Sequence, residues 1–291
     1  MGFPTDIGVV DLLVGLPPEP GEKSWTETHR SMLKDRESLE AFEHPASYMF
    51  KDLPDERFTD DPINAILSAM DHYGVEKGMI GVKPDGPLAL GAVRDHPDRF
   101  IASFDVDPNA GMAGLRALRH AVEDLGVRAA TSMPAGTFPQ RAADDPAWYP
   151  LYAMCVELGI PIFLTMGVPG PRVPFAPQHV ECLDRVCYEF PELTVVTRHG
   201  CEPWEALAVK LMLKWPNLYY STSAFAPKYY PKAIIDYANT RGADKVMYAG
   251  YFPFGISYET TFSQLPNLPL RDHVWPKFLR ENALHVLGLT T

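Results

Sequence analysis

A chain of 291 residues, 46% of them hydrophobic, is long enough to bury the core of one large domain or two small ones. Its formal net charge of −11 argues against nucleic acid or an anionic membrane as the main partner, and no basic cluster supplies a local exception. The four cysteines, Cys155, Cys182, Cys187 and Cys201, form no CxxC pair, which predicts reduced thiols in a cytoplasmic protein.

The first predicted strand is IGVVDLLV (7–14). Its apolar run has no basic leader and is broken by Asp11, so neither a signal peptide nor a membrane span is expected there. Residues 16–61 follow as a long insertion rich in proline and charge. It carries Trp25, Phe42, Tyr48, Met49 and Phe50, which predict a lid over an apolar ligand or a contact surface for another subunit. A helix is expected over 61–74 and a strand over 75–83. The turn HPDR leads into a strand over 100–107, and Met112, Leu115, Leu118, Val122 and Leu125 then recur at helical spacing.

GVRAATSM (126–133) is the next strand, with Ser132 near its end and aimed at the mouth of the fold; no GxSxG surrounds it. Asp145 as cap and Pro146 at the first position open a helix that Gly159 stops. Strands are expected over 160–167, 193–199, 217–223 and 244–250, with helices over 178–189, 202–216, 230–242 and 271–289. Eight βα units without an internal linker predict a single (β/α)8 TIM barrel over 1–291, with a lid-like insertion at 16–61 after strand 1. The doubly wound open sheet is the competitor, but no GxGxxG follows a strand.

His199 ends a β-branched run, Thr194 to Thr197, where a barrel presents its functional groups. Arg198 precedes it and Cys201 follows, but adjacency in sequence does not make a Cys–His pair. Lys83, Arg172 and His179 fall at strand ends or loops on the mouth side, and His29, His44 and His72 lack metal-ligand spacing. The Cys182-x4-Cys187 pair reads as helix packing.

Five stretches, HPDRFIASFDVDP (96–108), DDPAWYPLYAMCVELGIPIFL (144–164), RHGCEPW (198–204), KWPNLYYSTSA (214–224) and ENALHVLGL (281–289), run in one order over nearly the whole chain. In these the chain resembles the amidohydrolase superfamily, specifically the amidohydrolase-related group that includes aminocarboxymuconate-semialdehyde decarboxylase. The resemblance implies a TIM barrel with a divalent metal at its mouth. The metal would be held by a His-x-His pair on strand 1, a His on strand 5, a His on strand 6 and an Asp after strand 8.

Here Asp11 matches the aspartate that precedes the pair, but the two histidine positions hold Leu13 and Gly15. Thr165 stands for the strand 5 histidine and Tyr251 for the aspartate after strand 8; His199 alone matches. One imidazole beside Leu, Gly, Thr and Tyr does not build a tight zinc site, so no metal and no other cofactor is expected.

The resemblance supplies hydrolysis or decarboxylation of a small aromatic or carboxylate-bearing molecule. His199 is then the proton shuttle, Arg198 and Tyr251 are polar anchors, and Leu13, Gly15, Thr165, Ser132 and Arg172 are on the substrate-binding side. Gly15 is expected to open room and Leu13 to make the floor apolar. The alternative is a catalytically silent homologue that binds a ligand or supports a partner. The partners expected are a small-molecule ligand and a second subunit, in a homodimer or in a heteromer with a homologue.

Overall fold

The computed structural model describes residues 3–17, 25–40, 47–50 and 59–290. Trp25 as a lid side chain and all of Phe42 lie outside what is described, as do residues 18–24, the rest of 41–46 and 51–58 of the insertion. Two short helices of the insertion are present, α1 (Trp25–Thr28) and α2 (Arg36–Glu40).

Eight parallel strands pair in chain order: β1 (Val9–Asp11), β2 (Val75–Gly81), β3 (Phe100–Asp105), β4 (Ala129–Ser132), β5 (Ile162–Thr165), β6 (Val195–Arg198), β7 (Leu218–Ser221) and β8 (Val246–Met247). The ring closes at the mouth, where Val14 bridges Phe252 in parallel and the Gly15 N–H donates to the Phe252 carbonyl at 2.8 Å. This is the (β/α)8 TIM barrel.

Side chains alternate between two apolar environments, which is why the strands read as near-continuous hydrophobic runs. Ile80, Ala102, Ala130, Ile162, Leu164, Val195 and Leu218 face the surrounding helices. Val10, Leu12, Met79, Ile101, Ala129, Phe163, Val196 and Met247 face inward and pack with Leu284 and Leu287, so the carboxy-terminal segment closes the barrel's lower end.

Helices connect the strands. In α3 (Pro62–Tyr73) the Asp61 side chain caps by accepting from the Asn64 N–H at 3.2 Å, and Gly74, at φ +70°, ends it. The others are α4 (Pro87–Asp95), α5 (Gly111–Leu125), α6 (Tyr149–Leu158), α7 (Cys182–Glu189), α8 (Glu205–Lys214), α9 (Lys232–Ala238), α10 (Tyr258–Gln264) and α11 (Asn282–Val286). Four differ from expectation. Asp145 caps a 3-10 turn, Pro146–Trp148, so the regular helix starts only at Tyr149. Helices α4 and α10 stand where the sequence pattern names no element. The long helix expected over 271–289 is shorter, with a π-helical turn at Lys277–Glu281 running into α11.

The four cysteines are unpaired. Among the described residues no helix is long and apolar enough to cross a membrane.

Candidate functional site

The carboxyl ends of the strands open onto a cavity of about 700 Å³, whose lining includes Leu13, Gly15, Lys83, Thr131, Arg198 and Tyr251. Barrel enzymes place their chemistry on this face. Leu13, Gly15, Arg198 and Tyr251 are therefore brought together at one cavity, with Met79 and Phe254 adding apolar wall.

Arg198 ends β6 on the inward face, in register with Thr165 of β5. Its Nε is buried and has no hydrogen-bond partner among the described residues. Burial presses the guanidinium's pKa down, while the Asp105 carboxylate and Tyr251 act the other way. A guanidinium nevertheless stays charged in a protein, so it is a cation in want of an acceptor. Tyr251 follows β8; burial raises its phenol's pKa and the Arg198 charge opposes that. Its ring packs against Phe50 of the insertion at 5.4 Å between centroids, and edge-on to His199 at 5.8 Å.

His199 is not part of the cavity lining. Its backbone is left-handed, at φ +61°, and its N–H donates to Ser223 Oγ at 3.0 Å. The same hydroxyl lies 3.1 Å from Nδ1, its one proton available to a neutral ring. Burial, and then the adjacent Arg198 charge, press the imidazole's pKa down to about 3. A ring held neutral at ordinary pH does not fit the proton-shuttle role expected of it.

Four further expectations change. Ser132 points away from the mouth, buried against the helices, and donates to the Val106 carbonyl at 2.7 Å. Side chains alternate along a strand, so its neighbour Thr131 takes the cavity position. Gly15 does not open room: a Cβ built there would lie 1.9 Å from the Phe254 ring, which already fills the space. Arg172 is outside the lining and clamps the insertion, donating to Asp35 Oδ1 and Glu37 Oε2, each at 2.8 Å, and lying over the Tyr48 ring. Thr165 is inward-facing but buried and does not line the cavity.

Asp105 went unnoticed in the sequence. It ends β3 in register with Thr131, whose hydroxyl donates to Asp105 Oδ1 at 3.3 Å. The signal was the alternation in FIASFDVD, which puts Ile101, Ser103 and Asp105 on one face and turns polar toward the mouth. Asp11 faces outward instead. Its Oδ1 accepts from the Leu13 and Gly250 N–H groups and its Oδ2 from the Tyr258 hydroxyl.

The metal implied by the resemblance finds no matching donor set. Leu13, Gly15 and Thr165 offer no imidazole, Phe254 occupies the space beside Gly15, and Asp11 turns its carboxylate away from the cavity. Among the described residues no three His, Cys, Asp or Glu side chains converge as a metal site.

Three solved structures share the barrel over nearly their whole length. An uncharacterised TIM-barrel protein from Bordetella bronchiseptica is 23% identical, with a TM-score of 0.72 over 97% of this chain and 99% of that one. A 5-carboxyvanillate decarboxylase from Sphingomonas paucimobilis is 15% identical, with a TM-score of 0.67 over 98% and 100%. A 2,6-dihydroxybenzoate decarboxylase from Rhizobium is 17% identical, with a TM-score of 0.64 over 97% and 99%. A search of curated protein sequences returns no match. The sequence profile of the amidohydrolase family matches residues 41–289, and on that span, from the insertion to the last helix, the chain belongs to the amidohydrolase family.

Proposed function

We propose that the cavity binds a small aromatic carboxylate through Arg198 and removes its carboxyl group without a metal ion. The observation that carries this reading is the buried Nε of Arg198, without a hydrogen-bond partner among the described residues, at the wall of a cavity lined by both polar and apolar side chains. A carboxylate is the ligand group that matches a guanidinium, because two parallel N–H donors meet two acceptor oxygens. Leu13, Met79 and Phe254 supply apolar surface for a ring, and the Tyr251 hydroxyl supplies a second polar contact. Two of the proteins that share the barrel bear names of aromatic-acid decarboxylases, which supports the reaction class.

Without a metal, the reading asks the chain's own groups to stabilise the transition state. Arg198 holds the carboxylate and fixes the ring's orientation, and the apolar wall favours departure of neutral carbon dioxide from a charged ground state.

The probe is 2,6-dihydroxybenzoate, with binding followed by calorimetry and turnover by carbon dioxide release, with and without a chelator. Binding and turnover that survive the chelator are expected. The Arg198→Gln protein should bind about 10–100-fold more weakly, the loss of a charge-assisted hydrogen bond worth roughly 1.5–3 kcal/mol. Absence of binding would remove the ligand assignment, and loss of turnover with chelator would return a metal to the mechanism. Binding without carbon dioxide release would favour the silent, ligand-binding homologue.

A further inference from the structure

We propose that Asp105, at the end of strand β3, is the acid that delivers the proton to the substrate. The inference rests on the decarboxylase reading above.

Geometry supports it in three ways. Asp105 is, among the described residues, the one carboxyl group on the inward face of the eight strands. It is oriented by the Thr131 hydroxyl, a lining residue. It also stands close enough to Arg198 to feel its charge, yet makes no ion pair with it, so a ligand held by Arg198 finds the carboxyl beside it rather than already consumed.

The competitors fail on position or chemistry. Asp11 faces outward with three donors already on it. His199 is held neutral by burial and by the adjacent Arg198 charge, and its Nδ1 is already engaged by the Ser223 hydroxyl. The Tyr251 phenol is made a weaker acid by burial.

The charged groups around Asp105 are Arg198 on β6, Lys83 beyond β2 and Asp107 in its own loop. Desolvation among the strand ends raises the Asp105 pKa, with Asp107 adding to the rise and Arg198, Thr131 and Lys83 opposing it. Asp105 is exposed at the strand ends, where water can reach it. A carboxyl that titrates near working pH suits a general acid.

The step balances. The Asp105 O–H bond breaks and its proton forms a C–H bond at the ring carbon bearing the carboxylate, using a ring π pair. The bond from that carbon to the carboxylate then breaks, its electron pair restores the ring, and carbon dioxide leaves. The Asp105 carboxylate takes a proton back from water at the open side.

The test uses the full chain with 2,6-dihydroxybenzoate and the Asp105→Asn and Asp105→Glu variants. Asp105→Asn should still bind the probe but lose carbon dioxide release by about 10²–10⁴-fold, with Asp105→Glu recovering part of it. Turnover in the wild type should fall as pH rises through the carboxyl's titration, and in heavy water the product should carry deuterium at the carbon that lost the carboxylate. Carbon-detected NMR should show Asp105 titrating above the usual aspartate value of about 4, and higher still in Arg198→Gln. Equal turnover by wild type and Asp105→Asn, or an Asp105 that titrates at or below the usual value, would overturn the role of Asp105 alone. No carbon dioxide release by the wild type would overturn the decarboxylase reading and this role with it.

Discussion

A single missing side chain, at Gly15, decides what the first ligand position has become. The Phe254 ring occupies the volume that any Cβ there would need, approaching it at 1.9 Å. Gly15→Ala should therefore destabilise the protein by about 1–3 kcal/mol, the usual cost of overpacking. In a Phe254→Ala background the same substitution should cost little, so a double-mutant cycle by denaturant unfolding should return a favourable coupling of about that size. Additive effects would show that the ring swings aside without cost. The sequence showed that the imidazole at 15 was gone but not what replaced it, because Phe254 lies 239 positions further on in a loop with no periodic pattern. Arg198 and Tyr251 were legible because motif positions at strand ends fix their place. Ser132 and Thr131 were exchanged because a period-two element inverts its faces on a one-residue slip, and only the β3–β4 register shows which of the two faces inward.

Among the elements, β1 and β8 are the shortest strands, three and two residues against the eight and seven expected. Their backbones do not ladder together along their length. The Asp11 carboxylate takes the Gly250 N–H at 2.7 Å in place of a strand carbonyl, and on the other side the β1–β2 register slips between Val9 and Val10. Asp11 also accepts from the Leu13 N–H, so one buried carboxylate fixes the backbone next to two cavity residues, Leu13 and Tyr251. Burial raises its pKa to about 6, against hydrogen bonds from Gly250, Leu13 and Tyr258. A carboxyl with a folded-state pKa above its unfolded value stabilises fully below the unfolded pKa of 3.8, and that contribution is lost as pH rises to about 6. Asp11→Asn keeps an acceptor and has no such charge. The wild type should therefore lose on the order of 3 kcal/mol relative to Asp11→Asn between about pH 4 and pH 7, read from paired urea titrations. Asp11→Ala, which strands two N–H groups, should be worse than either by a few kcal/mol at both pH values. A pH-independent difference between wild type and Asp11→Asn would mean that the carboxyl titrates normally. Helices α4 and α10 were missed for related reasons of length: at nine and seven residues they show too few turns for a helical period to emerge from the flanking Pro and Gly.

At the scale of the whole molecule, the barrel was readable because every strand had to be apolar on both faces and every connection had to return over its own helix. The insertion after β1 was readable only as an interruption. Beside the Phe50–Tyr251 ring contact, polar contacts distant in sequence hold its described part: Arg172, beyond β5, reaches Asp35 and Glu37, and the Tyr48 hydroxyl donates to the Gly170 carbonyl at 2.7 Å. Arg172 was expected to touch substrate, but its place in the chain does not say which carboxylates it meets. These pairs are half-exposed, and exposed ion pairs contribute about 0–1 kcal/mol each. The barrel's stability is set elsewhere, by the two apolar layers on either side of its strands. Arg172→Gln should therefore leave the global melting temperature within about 4 °C of wild type, since 1 kcal/mol is worth roughly 2–4 °C at this size. Locally the loss is a large part of what holds α2, so amide exchange over Arg36–Glu40 should accelerate while β4, β5 and β6 keep their protection. High salt should produce the same selective change in the wild type by screening the pair. If strand protection falls together with that of α2, the insertion and the barrel open as one unit, and Arg172 is part of the core's cooperativity rather than a clamp on its surface.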